Sequence, residues 1–352
     1  MAKCPAGIFH YKKRSILRGE KQNMKSIFMI TSLLLVLSFI LSGCSVFSGG
    51  KEKESEKYED YALNMNTDYK HPENPPKGNG ERLKVVILIG QSNASGSSIV
   101  SYLEKCLDKA TFEKAKSGYE SVLINYCIDD HNASSNGEFR PVDLTCGAAN
   151  GFFGPEVGMA HVLSEAFSDE TTVILKYTMS GYSLNHHWLF NRERASIYGA
   201  FIAFVEFYMS VLTESGFVPE ISAICWMQGE SDTTEEKAAR YYDNLVSFVG
   251  YLRSDLAKYT HNGKLYFIDA GISSSPYCEP GYPTVNEAKR RFSELCEENV
   301  YFSTIELGFS TMNEPDYAPD LGHYDAIYEF LLGKRFGEEI VKICSSAETS
   351  DN

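Results

Sequence analysis

The chain has 352 residues and a formal net charge of -14, with 43% hydrophobic and 13% aromatic residues. This apolar content is enough to form a buried core, which excludes disorder over the whole chain. A nucleic-acid-binding protein needs a basic face, so the strong negative charge argues against DNA or RNA as a partner.

Residues 1–43 have the composition of a targeting segment. Lys25 precedes an apolar run, residues 27–40, and Leu41-Ser42-Gly43-Cys44 follows it. A charged residue, an apolar run and small residues before a cleavage site are typical of a secretory signal, and the run is short for a transmembrane helix. Met24 is a more natural start than Met1. The alternative is an anchor that stays uncleaved.

The residues after the signal predict a polar linker and one folded domain. Residues 44–80 are rich in Ser, Gly, Lys, Glu, Asn and Pro and lack apolar periodicity, which is typical of a disordered tether. The patterned region spans residues 81–345, and residues 346–352 form a short polar tail. No internal repeat is visible, so we expect a single domain.

Strands and helices alternate along this domain. The apolar run 85–89 predicts a buried strand over residues 83–89, whereas Ser, Asn, Asp and Gly indicate that residues 97–150 are irregular. The remaining predicted elements are a helix from Pro155, a strand at 171–179, a helix at 196–215, a strand at 220–228, a helix opened by a capping box at Thr233 and Glu236, a strand at 264–270, a helix opened by a capping box at Thr284 and Glu287, a strand at 300–307 and a helix at 324–343. This order predicts an α/β domain with a helix-covered parallel sheet of five strands.

The cysteines do not form a recognisable framework. Nine cysteines less Cys4 and Cys44 leave seven, an odd number with irregular spacing and no C-x-x-C motif. This pattern favours neither a disulfide scaffold nor a zinc site. One or two disulfides stay open, for example one that involves Cys127 and Cys146.

Short polar motifs follow three of the predicted strands. They are Gly90-Gln91-Ser92-Asn93, Ser180-Gly181 and the run from Gln228 to Asp232, and Asp320-Leu321-Gly322-His323 precedes the last helix. Ligands of open α/β sheets bind beyond the carboxyl ends of the strands. We therefore expect these motifs to meet at one edge of the sheet.

The residue types in these motifs suit acyl transfer. A serine nucleophile needs a base, and the base needs an orienting acceptor, roles that Ser92, His323 and Asp320 could fill. The backbone N–H groups of Ser92 and Gly181 and the side-chain amide of Gln228 are available to stabilise an oxyanion. A glycine at position 181 lets a substrate oxygen approach the backbone closely.

These motifs resemble the blocks of the SGNH hydrolases, and more narrowly the sialate O-acetylesterase and carbohydrate esterase family six branch. The G-Q-S-N block and the W-x-Q-G-E-S-D block carry the similarity, which spans about residues 84–337. The resemblance implies a three-layer α/β/α sandwich with Ser92 as nucleophile, His323 as base and Asp320 as its partner. Gly181 and Gln228 would be oxyanion donors. Gln91, Asn93 and Glu230 would be supporting residues.

Several other interpretations of the same residues stay open. Tyr182 departs from the family pattern and could narrow the pocket or stack on a sugar. Glu230 and Asp232 could be a carboxylate pair for glycosidic cleavage or polar supports for their loop. His186 and His187 could be metal ligands, but no third ligand stands at a suggestive spacing. Asp320 and His323 could form only a helix cap.

The sequence thus predicts an extracytoplasmic serine esterase that removes O-acetyl groups from a carbohydrate such as sialic acid, xylan or a related glycan, with no cofactor and no metal. The Leu-Ser-Gly-Cys ending resembles a bacterial lipobox, which implies acylation of Cys44 and a lipid anchor in the cell membrane. The rival hypotheses are a non-catalytic glycan-binding lipoprotein and a lipid or thioester esterase on the same fold. No G-x-S-x-G or nucleotide-binding loop is present in the sequence.

Overall fold

The computed structural model describes residues 64–350, with side chains described as far as residue 346. The predicted signal segment, Cys44 and the tether up to residue 63 lie outside the described residues. The strands are β1 (Arg82–Gly90), β2 (Ser98–Ile99), β3 (Tyr119–Ile128), β4 (Ala133–Ser134), β5 (Arg140–Val142), β6 (Phe152–Phe153), β7 (Thr172–Thr178), β8 (Val218–Met227), β9 (Phe267–Ala270) and β10 (Asn299–Phe302). The α-helices are α1 (Ser92–Ser95), α2 (Val100–Cys106), α3 (Lys109–Ser117), α4 (Pro155–Ala166), α5 (Ile197–Glu214), α6 (Glu235–Leu256), α7 (Tyr282–Ser293) and α8 (Ala326–Ser350).

The main sheet has the order β10-β9-β8-β1-β7-β3-β4, and β5 also pairs with β3. Every neighbouring pair from β10 to β3 is parallel, and only the short β4 and β5 run antiparallel. Strand β1 lies between β7 and β8, and its residues 85–89 are fully buried. The uninterrupted apolar run of β1 is therefore explained by helices on both faces of the sheet.

Neighbouring residues of β7 show which helices cover each face. Lys176 contacts Glu156 of α4, whereas the Tyr177 ring packs against Phe201 and Phe204 of α5. Successive strand side chains point to opposite faces, so α4 and α5 lie on opposite sides of the sheet. Helix α8 packs on α4, while α6 and α7 pack together beside α5. The predicted three-layer α/β/α architecture is confirmed.

Helices α4 and α8 approach each other at glycines. A Cβ added to Gly158 would lie 2.0 Å from the carbonyl oxygen of Phe330, and one added to Gly333 would lie 1.9 Å from that of Pro155. A larger residue at either position would force the helices apart. This close packing fixes the start of α8, and with it the loop that carries His323.

The sheet contains a sixth parallel strand that the sequence analysis had read as irregular. Strand β3 pairs in parallel with β7 over seven residues, from Val122 to Ile128. Its run Val122-Leu123-Ile124 is apolar, but the surrounding Ser, Asn, Asp and Gly residues hid it. All five predicted strands are present, although β9 begins only at Phe267 and β10 ends at Phe302, and the sixth strand widens the same sheet.

Residues 64–80 also differ from the expectation of a disordered tether. The Met65 N–H donates to Ala195 O at 2.8 Å, and the Tyr69 hydroxyl donates to Ala200 O at 2.8 Å. The Tyr69 ring contacts Phe204 and Tyr208 of α5. Two apolar anchors are thus enough to hold a polar segment against the domain.

Neither predicted capping box forms. Helix α6 begins at Glu235 after Thr234, and the Thr233 hydroxyl donates instead to Glu230 O at 2.9 Å. Helix α7 begins at Tyr282, with Gly281 as its N-cap and Pro283 in the first turn. Proline at the first helical positions needs no N–H partner, so the helix starts before Thr284.

Two further features of the core bear on the sequence hypotheses. Helix α5 is long and apolar enough to span a membrane by composition, but 56% of it is buried and it packs on β7 and β8. Cys127 and Cys146 are both buried and unbonded, so the disulfide that stayed open between them does not form. Burial raises the pKa of each thiol to about 12, which makes both poor nucleophiles at neutral pH.

Candidate active site

Ser92 begins a sharp turn at the carboxyl end of β1. Gly90 has a φ of +147°, and a Cβ there would lie 1.9 Å from the carbonyl oxygen of Met227. Only glycine fits at this point. The next residue, Gln91, donates its N–H to the same Met227 oxygen at 3.0 Å. The turn therefore lies directly against the end of β8, and Ser92 follows as the first residue of α1.

His323 is paired with Asp320 in the loop before α8. The imidazole Nδ1 lies 2.7 Å from Asp320 Oδ2, and the Gly322 N–H donates to Asp320 Oδ1 at 3.0 Å. The His323 side chain is 27% exposed and that of Asp320 is 53% exposed. Asp320 thus holds the imidazole through Nδ1, which leaves Nε2 as the ring nitrogen that could act as the base. The competing interpretation as a helix cap is not supported, because α8 begins only at Ala326.

Asn93 joins the serine turn to the histidine loop. Its Nδ2 donates to Gly322 O at 3.2 Å, and its Oδ1 accepts from the Tyr324 N–H at 3.2 Å. Gly322 and Tyr324 are the two neighbours of His323, and Asn93 is the neighbour of Ser92. The structure therefore brings Ser92 and His323 to the same edge of the sheet, as the sequence predicted.

Among the described residues, no hydrogen bond joins the Ser92 hydroxyl directly to His323. Catalytic hydrogen bonds are often long in the absence of substrate and shorten when it binds. The observed link between the two residues is the side chain of Asn93, which follows Ser92 and bonds to the backbone on both sides of His323.

Two backbone N–H groups beside Ser92 are available to a ligand. Neither Ser92 nor Gly181 donates its N–H to a protein acceptor within residues 64–350. Gly181 follows β7 in a turn with a φ of +77°, and no atom lies within 4 Å of the position of a Cβ there. The Ser180 hydroxyl donates to Ser95 Oγ of α1 at 3.1 Å, which ties this turn to the one that carries Ser92. Both predicted backbone donors therefore belong to linked turns.

Gln228 occupies a different position from the one predicted. Its side chain is fully buried, and Nε2 lies 2.6 Å from Asp232 Oδ2, 3.2 Å from Gln91 Oε1 and 3.3 Å from Tyr182 O. Its Oε1 accepts from the Tyr241 hydroxyl at 2.9 Å. The amide protons thus point to protein oxygens. This conformation offers no N–H of Gln228 to a substrate, which disfavours the predicted role of Gln228 as an oxyanion donor.

Asp232 extends the same network to the segment after Gly181. Its carboxylate accepts the N–H groups of Leu184 at 2.8 Å and Asn185 at 3.2 Å, at the start of a short π-helix, Leu184–Trp188. Burial raises the pKa of Asp232 above its usual value, and the hydrogen bond from Gln228 offsets only part of this increase. Glu230 belongs to a separate network: its Oε1 accepts from Asn93 Nδ2 at 2.6 Å. The two carboxylates therefore support different loops, which disfavours a glycosidase pair.

A buried ion pair lies beneath α1. Lys176 Nζ donates to Glu156 Oε2 at 2.7 Å and to the carbonyl oxygens of Ser95 and Cys146 at 3.0 Å each. Both charged side chains are fully buried. Removal of one partner of such a pair is strongly destabilising, because it leaves an uncompensated charge in the interior. The sequence analysis missed this pair, although a lysine inside an apolar strand was a visible signal.

The histidines proposed as metal ligands have other contacts. His187 Nδ1 accepts from the Ser183 N–H at 3.0 Å, and its ring lies 4.6 Å from that of Tyr182. Burial, followed by the charge of Lys237, lowers the pKa of His187 to about 4, so it is neutral at physiological pH. Within the described residues, no three His, Cys, Asp or Glu side chains are grouped as metal ligands would be.

Comparison with known proteins identifies the family of the domain. Residues 82–342 match a family model described as carbohydrate esterase, sialic acid-specific acetylesterase. No curated protein matches the chain.

Among the solved structures that resemble the fold are the following two. One is a protein from Arabidopsis thaliana, 19% identical with a TM-score of 0.53, in which the match covers 74% of this chain and 98% of that chain. The other is NanS, 15% identical with a TM-score of 0.54, with coverages of 76% and 99%. At these identities the structures support the architecture alone.

Proposed function

Because the chain belongs to the carbohydrate esterase family of sialic acid-specific acetylesterases, and is thus a carbohydrate O-acetylesterase, we propose that it hydrolyses the ester with Ser92, His323 and Asp320. The observation that carries this proposal is the 2.7 Å contact between His323 Nδ1 and Asp320 Oδ2, at the edge of the sheet where Ser92 follows β1 as the first residue of α1. An imidazole held by a carboxylate beside a serine is the arrangement of a serine hydrolase.

The proposed reaction has two halves. Ser92 Oγ attacks the acetyl carbonyl carbon while His323 Nε2 takes its proton, and the Ser92 and Gly181 N–H groups stabilise the developing oxyanion. Collapse of this intermediate breaks the ester bond, and His323 returns the proton to the departing sugar oxygen. Water then attacks the acetyl-serine with His323 again as base, which releases acetate and restores Ser92. Asp320 holds the imidazole and stabilises its charged form in both halves.

In this proposal Gln228 and Asp232 position the oxyanion turn instead of touching the substrate. The Gln228 amide donates to Tyr182 O, and Asp232 accepts the N–H groups of the two residues that open the π-helix. These contacts hold the backbone that directly follows Gly181. A preorganised donor is worth more than a mobile one, because no reorganisation is needed during the reaction.

An exposed aromatic ring beside His323 supports a carbohydrate substrate. Tyr277 is 59% exposed, and its ring lies 3.7 Å from the position that a Cβ of Gly322 would occupy. Ser275, two residues earlier, donates its hydroxyl to Leu321 O at 2.7 Å and fixes this loop to the histidine loop. A rigid aromatic surface at the rim suits stacking on a sugar ring, and Tyr182 offers a second one beside Gly181.

The location of the protein is part of the proposal. Leu41-Ser42-Gly43-Cys44 supports acylation at Cys44 and attachment to the cell membrane on its extracytoplasmic face. The polar residues that follow would let the domain reach glycans at the surface.

The test of the proposed reaction is Ser92→Ala, with Ser101→Ala on the exposed face of α2 as matched control. Acetate release from an aryl acetate, and from acetylated sialic acids, xylan and peptidoglycan, should fall by about 10⁴-fold in Ser92→Ala alone. Circular dichroism confirms that each variant is folded. Activity of Ser92→Ala above roughly 1% of the wild type would exclude Ser92 as the nucleophile.

A further inference from the structure

Asn93 makes an unusual set of buried contacts for a residue next to a nucleophile. It is 2% exposed, and its one amide group meets Gly322 O, the Tyr324 N–H and Glu230 Oε1. Two of these partners are the backbone groups on either side of His323. The base is thus held from both sides by the residue that adjoins Ser92.

The three partners also fix the orientation of the amide. Gly322 O and the Glu230 carboxylate can only accept from Asn93, and the Tyr324 N–H can only donate to it. Turning the amide over would set Oδ1 against two acceptor oxygens. Glu230 is 4% exposed and contacts Nδ2 at 2.6 Å, the shortest of the three contacts. Glu230 therefore strengthens the orientation that the histidine loop requires.

The link between His323 and Asp320 would not be enough to fix the imidazole. The Asp320 side chain is 53% exposed, so water competes for its hydrogen bond to the imidazole. Both residues of that pair are also in the same loop, so the pair can move with it. The Asn93 contacts join the loop to α1 in the protein interior, where a hydrogen bond is protected from water.

We propose that Asn93 and Glu230 are positioning residues that set the distance between Ser92 and the His323 imidazole. This inference rests on the proposed function, since it assigns the two residues a part in the same acyl transfer. A misplacement of about 1 Å in an active site can cost about 10²-fold in rate. Neither residue touches the substrate, so the loss falls on kcat.

The first experiment compares Asn93→Ala with Asn125→Ala. Asn125 is an equally buried asparagine on β3, 1% exposed, whose Nδ2 donates to Gly137 O at 2.8 Å away from the site. Asn93→Ala should lower kcat by about 10²-fold with KM within about twofold of the wild type. Asn125→Ala should lower the Tm and leave kcat per folded molecule unchanged. A kcat of Asn93→Ala within threefold of the wild type would overturn the proposal.

Glu230 is tested by two variants and by a pairwise exchange. Glu230→Gln keeps a carbonyl oxygen that can accept from Asn93, so kcat per folded molecule should stay within about threefold, whereas Glu230→Leu should lose about tenfold or more. Asn93→Asp removes the donor to Gly322 O and sets two buried carboxyl groups against each other, one of which must take up a proton, so kcat should fall by about 10²-fold. Adding Glu230→Gln to it restores a donor and an acceptor and should recover part of kcat. Equal kcat values for Glu230→Gln and Glu230→Leu contradict a role for Glu230.

A spectroscopic readout separates this inference from the proposed function. In ¹⁵N-histidine-labelled protein, the Nδ1–H proton of His323 should give a sharp low-field signal that broadens in Asn93→Ala and stays in Asn125→Ala. This measurement needs no turnover and also serves where Asn93→Ala folds poorly, with Glu230→Leu in its place. An inactive wild type refutes the proposed function, and an unchanged signal in both Asn93→Ala and Glu230→Leu refutes the positioning role.

Discussion

Gln228→Glu is the substitution that best separates the role predicted from the sequence from the role observed in the structure. The amide nitrogen lies 2.6 Å from Asp232 Oδ2 and within 3.3 Å of Gln91 Oε1 and Tyr182 O. The substitution replaces this nitrogen by a carboxyl oxygen, which faces three acceptors in a fully buried position. If Gln228 donated to the oxyanion instead, the same substitution would lower kcat and leave the Tm unchanged.

The cost of this change follows from these contacts. A buried polar group that loses its partner costs about 1–3 kcal/mol. The new carboxyl also has to stay protonated beside Asp232, which costs about 1.4 kcal/mol for each pH unit above the pKa of about 4.3 in the unfolded chain. A hydrogen bond from the protonated new carboxyl to Asp232 offsets part of the sum. We therefore expect a loss of roughly 4 kcal/mol at pH 7, which lowers the Tm by roughly 10 °C in a domain of this size.

The pH dependence has a defined sign. The folded-state pKa of the new carboxyl is raised above its unfolded value, so the folded protein loses stability relative to the wild type as the pH rises from about 4.3 towards that raised pKa. The deficit should be smaller at pH 5 than at pH 7. Thermal unfolding at both pH values, with the exposed Asn262→Asp as control, measures it. A 10²-fold drop in kcat with an unchanged Tm at pH 7 would refute the structural role and restore Gln228 as an oxyanion donor.

Three further outcomes are expected. Cys44→Ala should abolish incorporation of a labelled fatty acid and leave the protein unprocessed or released; a variant that remains acylated contradicts the lipobox. Tyr277→Ala should raise KM for an acetylated oligosaccharide about fivefold, because roughly 1 kcal/mol of stacking on the sugar is lost. The control Tyr251→Ala on α6 should leave KM unchanged. Equal KM values for the two variants contradict stacking of the sugar on Tyr277. Burial, followed by the charge of Glu156, raises the pKa of Glu329 far above its usual range. The free energy of unfolding of Glu329→Gln, measured in urea, should therefore rise relative to the wild type by up to about 1.4 kcal/mol per pH unit between pH 4.5 and 7. Parallel stability curves for the two proteins contradict this.

Local sequence was sufficient to predict the elements with uninterrupted apolar runs. β1 and α5 were predicted to within one residue at each end because each has a long apolar stretch, residues 85–89 in β1 and most of residues 197–212 in α5. Strand β3 was missed because its apolar centre is flanked by Ser, Asn and Asp. Its pairing with β5 and β7, which stabilises it as a strand, is not visible in the local sequence. The capping boxes failed because tertiary contacts, such as the Thr233 hydroxyl on Glu230 O, compete with local capping.

The candidate site was predictable in its members but not in all their roles. Ser92, Gly181, Asp320 and His323 each follow a strand or precede a helix, so their meeting at one edge followed from the parallel sheet. The orientation of Gln228 depends on Asp232, Gln91 and Tyr182 together. Which side of a buried amide faces the ligand is decided by such partners, and no spacing along the chain encodes it. Lys176 inside an apolar strand was a visible signal, but its partner Glu156 lies on another element and could not be identified from the local sequence.

The side chain of Gln91 limits how this domain can be recombined with its relatives. Its Oε1 accepts hydrogen bonds from Gln228 Nε2 at 3.2 Å and from the N–H groups of Ser231 at 3.2 Å and Gly229 at 3.4 Å. The turn before the nucleophile and the loop after β8 thus form one hydrogen-bonded unit, although more than 130 residues separate them. A chimera with a crossover between these two blocks would combine halves that have not been matched to each other, and substitutions in the two blocks would be non-additive. Engineering of substrate range is better directed at the loop that carries Tyr277, which lies outside this unit.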